Sequence, residues 1–159
     1  MRILGVDPGT NITGYGIIEK DHDRTTEVVH GEIRRIKSEP LSKCLTRIYD
    51  DLIKVAKDFA PDAMVLEDIF YGKNVESLIK QAQVKGVVML VGCHSSIPIY
   101  TYTPLEVKKA VVGYGRAEKS QVQQMVKAIL NLSELPPVDA SDALAVAICH
   151  SNFLKAVST

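Results

Sequence analysis

The sequence is short of the features that place a protein quickly. It has no net charge, with 19 Lys and Arg against 19 Asp and Glu in 159 residues. It therefore lacks the overall basic excess that draws a chain to any polyanion. No run of 18 apolar residues occurs, so no helix is expected to span a bilayer. The first residues, Met1-Arg2-Ile3-Leu4-Gly5-Val6-Asp7, reach a second charge too early for the apolar region of a secretory signal, and a cytoplasmic location with no membrane partner is expected. Cysteine is scarce. Cys44, Cys93 and Cys149 are odd in number and far apart, which excludes a disulfide framework and zinc-ligand spacing and leaves three small buried apolar residues as the expectation. His22, His30, His94 and His150 are equally scattered and read as surface or hydrogen-bonded core side chains. No internal repeat or low-complexity tract is present.

What is present is enough for one domain over residues 1–159, a usual domain length, with 46% hydrophobic residues for a core. Charge is unevenly spread. Between residues 69 and 127 eight basic residues (Lys73, Lys80, Lys85, Lys108, Lys109, Arg116, Lys119 and Lys127) face three acids (Glu76, Glu106 and Glu118). A basic middle between acidic flanks suits a phosphate-facing surface; a set of solvated helix faces would give the same count.

The pattern opens with three strands over residues 2–7, 13–19 and 25–37. Pro8-Gly9-Thr10-Asn11 and Asp21-His22-Asp23 turn between them, and this predicts an antiparallel meander. After Pro40 the spacing of Leu41, Leu45, Ile48, Leu52, Val55 and Phe59 is helical, and Pro61 ends it. A short apolar strand over 63–67, a long helix over 74–95 and a strand over 97–103 follow. Thr103-Pro104 opens a helix to about residue 112, residues 120–130 form another, and a last helix starts at Asp139 after Leu135-Pro136-Pro137. The class is α/β: one mixed sheet covered by helices, its late strands parallel to the first because helices make the crossovers. The long helix is apolar on two sides. Val75, Leu78, Ile79, Ala82, Gly86, Met89 and Leu90 form one set, and Val84, Val87, Val88 and Val91 the other. Such a helix needs two partners; one is its own sheet, and a second copy of the chain is a candidate for the other.

Four carboxylates carry the chemistry. Asp7 and Glu67 each end a buried apolar strand, where an ionised group costs several kcal/mol unless paired or metal-bound. Asp139 and Asp142 are three apart, on one face of a helix, and acids at a helix start also serve as caps. If the two strands are neighbours and the last helix opens over their ends, the four acids converge. So many carboxylates do not all stay ionised unaided, and hard divalent cations, Mg²⁺ above all, suit such an oxygen-only set. Two such ions per site would serve phosphoryl transfer.

Gly5-Val6-Asp7-Pro8-Gly9-Thr10 and Gly14-Tyr15-Gly16, then residues 67–74 from Glu67-Asp68 to Lys73-Asn74, then Val111-Val112-Gly113-Tyr114-Gly115-Arg116-Ala117-Glu118-Lys119-Ser120-Gln121-Val122, then Asp139-Ala140-Ser141-Asp142-Ala143-Leu144-Ala145 resemble the RuvC family of Holliday-junction resolvases, in the family's order along nearly the whole chain. The resemblance implies a ribonuclease-H-like fold, a mixed five-stranded sheet flanked by helices, and a homodimeric Mg²⁺-dependent nuclease in which Mn²⁺ can substitute. Its substrate would be the four-way DNA junction of recombination and repair, resolved by paired symmetric nicks, with a branch-migration motor as a partner. Asp7, Glu67, Asp139 and Asp142 would be catalytic and metal-binding. Phe70 would stack on an unpaired base, which suits an aromatic just past a catalytic strand, and Lys108 and Lys119 would hold phosphates. Lys73 and Arg116, in the basic middle, are further candidate DNA contacts. Rival readings are an ATP-binding lobe of the actin and sugar-kinase type, which needs a second Asp-x-Gly lobe the sequence does not show; a silent binding module; and a related nuclease with a simpler substrate.

Overall fold

The computed structural model of the chain describes residues 1–69 and 74–157. The elements follow as β1 Arg2–Asp7, β2 Ile12–Asp21, β3 Arg24–Arg34, α1 Leu41–Phe59, β4 Ala63–Glu67, α2 Val75–His94, β5 Ile99–Tyr102, α3 Pro104–Val112, α4 Lys119–Leu130 and α5 Val138–Val157. The five strands form one mixed sheet in the order β3-β2-β1-β4-β5. The β1–β2 and β2–β3 pairs are antiparallel, and the β1–β4 and β4–β5 pairs parallel, as the order of strands and crossover helices requires.

Two strands are shorter than their apolar pattern suggests. β3 stops at Arg34 because the next N–H, that of Arg35, donates to the Asn11 carbonyl at 2.9 Å and Ile36 to Glu39 close a turn. β5 starts only at Ile99: the Ile97 N–H donates to the Gly92 carbonyl at the end of α2, and Pro98 has no N–H to give.

Side chains alternate across a strand, and the two cores record this. Leu4, Val6, Ile17, Met64 and Leu66 pack under α1 and α2, against Ile48, Leu52, Val84 and Val88. Ile3, Ile18 and Val65 face the other way, onto α5, which is covered in turn by α3 and α4. From Ala143 to Ser151 every side chain of α5 is buried, as a helix held between a sheet and two other helices must be.

α5 reaches the sheet because the sheet is bare beneath it. A Cβ on Gly5 would lie 1.9 Å from the Ala143 carbonyl oxygen, one on Gly14 2.0 Å from the Asp139 carbonyl oxygen, and one on Gly16 2.5 Å from Leu144 Cδ2. Gly5 and Gly16 are paired across β1 and β2, and Gly14 is opposite Asp7, so the three form one patch. A strand glycine that admits another backbone is a recognised use of the residue.

α2 is two-sided, as its sequence suggests. Val84, Val88 and Val91 are buried inward, while Val75 and Ile79 are 65% and 55% exposed and Met89 and Leu90 44% and 50%. Cys44 and Cys149 are buried as expected. Cys93 is not: it is exposed on α2, on the outward side that the inward valines leave to solvent.

The seating of α5 has a direct test. Gly5→Ala forces a methyl into the Ala143 carbonyl and is expected to destabilise by about 1–3 kcal/mol, lowering the melting temperature by roughly 2–12 °C. An unchanged thermal melt would contradict the close approach.

Candidate metal centre

Strand parity decides where the acids go. On β1 the residues Ile3, Gly5 and Asp7 share the α5 side, and on β4 Ala63, Val65 and Glu67 do. The parallel register places Val6 opposite Leu66, so Asp7 and Glu67 leave neighbouring strands at the same edge and on the same face. Asp139 lies in the first turn of α5. Its carbonyl sits over Gly14, the register partner of Asp7, and Asp142 follows less than one turn later. Three elements thus deliver all four expected carboxylates to one place.

Burial and mutual repulsion follow from this placement. Burial pushes the Asp7 carboxyl from 3.8 up to about 7, and the negative charges of Asp142, Glu67 and Asp139 add to it. Burial raises Glu67 from 4.5 to about 7, again with help from Asp142. Asp142 is also raised, by burial first, although Lys119 works against the shift. Lys119 reaches in from the start of α4 and its Nζ donates to Asp142 Oδ2 at 3.0 Å; Asp142, above all, raises the lysine in turn. Lys108 on α3 acts on Glu67 and Asp142 from the same side. Two lysines do not balance four buried or half-buried acids.

A cleft between Glu67, Asp142, Lys108 and Lys119 measures ≈170 Å³. Glu67, Asp142, Lys108 and Lys119 supply its polar walls, and Pro104, Val107, Val122 and Ala145 an apolar floor. Local structure fixes the lysines. A capping box between Thr103 and Glu106 starts α3, Gly113 ends it at φ 96°, and a second box between Glu118 and Gln121 starts α4 one residue before Lys119. Among the described residues no three His, Cys, Asp or Glu side chains already enclose a single ion position. The fit to a hard divalent cation lies instead in the donor chemistry: oxygen ligands only, excess negative charge and open space for water.

The other expected contacts fare differently. Arg116 is exposed in the turn between α3 and α4 and does not line the cleft. Phe70 and Lys73 lie outside the described residues. His150 has a core role: it is buried and bonded through Nδ1 to the Tyr102 hydroxyl at 2.8 Å, and burial lowers its pKa. Burial pushes the Cys149 thiol up to about 12, so it is inert at neutral pH. The Lys119–Asp142 pair has no sequence signal, since 23 residues separate the partners. The glycines beneath α5 did leave one, in their alternation along β1 and β2.

The raised acids give a pH signature. Between 3.8 and about 7 the folded chain keeps an Asp7 proton that the unfolded chain releases. Stability therefore falls as pH rises through that window and levels off above it. In EDTA, Asp7→Asn is expected to melt above the wild type at pH 8 and close to it at pH 4. Parallel melting curves across that range would contradict the crowded-carboxylate geometry.

A family model described as crossover junction endodeoxyribonuclease RuvC matches residues 3–150. The crossover junction endodeoxyribonuclease RuvC of Syntrophotalea carbinolica is 54% identical over 152 residues, covering 96% of this chain and 94% of the relative. That of Thermotoga petrophila is 48% identical, with 95% and 92% covered. T. thermophilus RuvC in complex with Holliday junction substrate superposes with a TM-score of 0.93 at 29% identity, over 99% of this chain and 97% of that one. The yeast mitochondrial Holliday junction resolvase shares the fold, with a TM-score of 0.66 at 12% identity over 98% and 83%. The chain belongs to the RuvC family of crossover junction endodeoxyribonucleases.

Proposed function

We propose that this chain is a homodimeric, Mg²⁺-dependent nuclease of the cytoplasm that resolves four-way DNA junctions by paired symmetric nicks. Asp7, Glu67, Asp139 and Asp142 are its metal-holding catalytic residues. The observation that carries the reading is the convergence of these four acids, two of them pushed up to about 7, beside lysines that face a cleft open to a phosphate.

The donor set suits two divalent ions, Mg²⁺ with Mn²⁺ as a substitute. When bound, such ions activate the attacking water and stabilise the leaving oxygen in phosphoryl transfer. The chain's own residues do the rest. Asp7 and Glu67, fixed on adjacent strands, hold the ligand oxygens at a rigid edge. Asp139 and Asp142 close the set from α5. Lys119, paired with Asp142 in the ion-free chain, and Lys108, which lines the same cleft, would hold the phosphate.

Dimerisation supplies the second nick. The outward stripe of α2 runs Val75, Ile79, Ala82, Gly86 and Met89, with Leu90 beside it, and nothing lies within 4 Å of the position a Gly86 Cβ would take. Small residues in mid-stripe let two copies of the helix approach closely, and a two-fold axis through such a seam matches the two-fold symmetry of the junction. The branch-migration motor is the partner expected to deliver the substrate.

Three measurements test this. On a labelled synthetic four-way junction with Mg²⁺, the wild type is expected to give symmetric nicks, while Asp7→Asn and Glu67→Gln lose about 10²-fold or more in rate and still bind. Junction binding without cutting by the wild type, in Mg²⁺ and in Mn²⁺, would favour a silent binding module. Ile79→Glu with Met89→Glu is expected to give a monomer mass by light scattering and unpaired nicks; a retained dimer would place the seam elsewhere. Lys119→Met is expected to lower the slope of log affinity against log salt by about 1.

A further inference from the structure

Asp68, directly after Glu67, is tied on three sides. Its N–H donates to the Tyr102 carbonyl at 2.7 Å, the last rung between β4 and β5. Its carboxylate accepts the Ile69 N–H at 2.9 Å and the Lys85 ammonium at 2.6 Å. Lys85 comes from the third turn of α2, and its side chain is only 15% exposed, an unusual enclosure for a lysine. Strand parity explains the meeting: Glu67 points to the α5 side, so Asp68 points to the α2 side. Lys85 itself stands beside Gly86, between the buried Val84 and Val88 and the outward stripe.

The end of β4 needs such a tie. The paired registers with β1 end at Leu66 and those with β5 at Glu67. Glu67 is therefore the last residue of the strand, and among the described residues its exit is held by the Asp68–Tyr102 rung and the Asp68–Lys85 ion pair. The ion pair closes the chain back on the helix that follows.

We propose that Asp68 and Lys85 are positioning residues that brace the Glu67 carboxylate against α2. The placement of a metal ligand then depends on the helix that carries the outward apolar stripe. The inference rests on the reading of Glu67 as a metal ligand.

Lys85→Met separates bracing from charge. Removing a nearby positive charge, by electrostatics alone, tightens binding of a divalent cation. Loss of the brace loosens it. The proposal expects Lys85→Met to need about three- to tenfold more Mg²⁺ for half-maximal junction cleavage, a shift of order 1 kcal/mol in metal affinity. Mn²⁺ binding measured calorimetrically without DNA is expected to weaken alike. Junction affinity in EDTA should stay within about twofold, as for a residue outside the DNA contact set, and Lys85→Arg should restore the metal response because it keeps the charge and the donor. If Lys85→Met does not fold, Lys85→Gln, which likewise loses the positive charge and the ion pair, is measured in its place with the same expectation. An unchanged or lowered Mg²⁺ requirement overturns the brace, as does a Lys85→Arg protein that behaves like Lys85→Met. Glu67→Gln is the control for the underlying reading: if it cuts and binds Mn²⁺ like the wild type, Glu67 is no ligand and the brace falls with it, whereas an inactive Glu67→Gln beside an unaffected Lys85→Met rejects the brace alone.

Discussion

The rest of the structure depends on how closely α5 lies against the sheet. Gly5, Gly14 and Gly16 strip the sheet face of side chains where Ala143, Asp139 and Leu144 pass over it. Any Cβ at these positions meets α5, two of them its backbone, and overpacking of this kind forces backbone shifts that cost stability. Because the helix seats directly, its first turn reaches Asp7 and Glu67. A looser packing would keep the fold and scatter the acids. The same contact that completes one of the two cores therefore builds the site.

Seating four acids together costs stability, and the chain offsets only part of that. Asp7 and Glu67 are held near neutral pKa by burial and by each other's neighbours, while Lys119 lends its charge to Asp142 from a largely exposed position. A site tuned in this way gains from any cation it admits. Such strain is common where ligands are needed more than stability. The lysines suit this division of labour: Lys119 sits at the start of one short helix and Lys108 inside another, each helix opened by a capping box.

Much of the fold was legible in the sequence because its punctuation is strong. Pro40, Pro61, Thr103-Pro104, Gly113 and Pro136-Pro137 bound the helices close to where the pattern puts them. The two-sided apolar pattern of α2 survives as one buried and one exposed face. The sequence misplaced what depends on hydrogen bonds between distant segments, as where Arg35 turns to Asn11 and Ile97 to Gly92, and it gave no hint that Cys93 faces solvent. In the site, the acids at strand ends stood out because a charge there has few structural uses. Asp139 and Asp142 did not stand out alone, since caps look the same; only the strand order and the glycine patch bring them to Asp7. Pairs such as Lys119 with Asp142 and Lys85 with Asp68 join segments 23 and 17 residues apart, and no local pattern marks them. The basic middle was a weaker guide: Lys108 and Lys119 reach the cleft, Arg116 stops short of it.

The most direct test of the central claim is to locate the cation. Crystals grown with Mn²⁺ and measured at the manganese absorption edge would show anomalous density at the edge shared by β1, β4 and α5. The account places that density among the carboxylates of Asp7, Glu67 and Asp142, with the Lys119 ammonium displaced from its 3.0 Å contact with Asp142. Manganese bound elsewhere, with Lys119 still seated on Asp142, would contradict it.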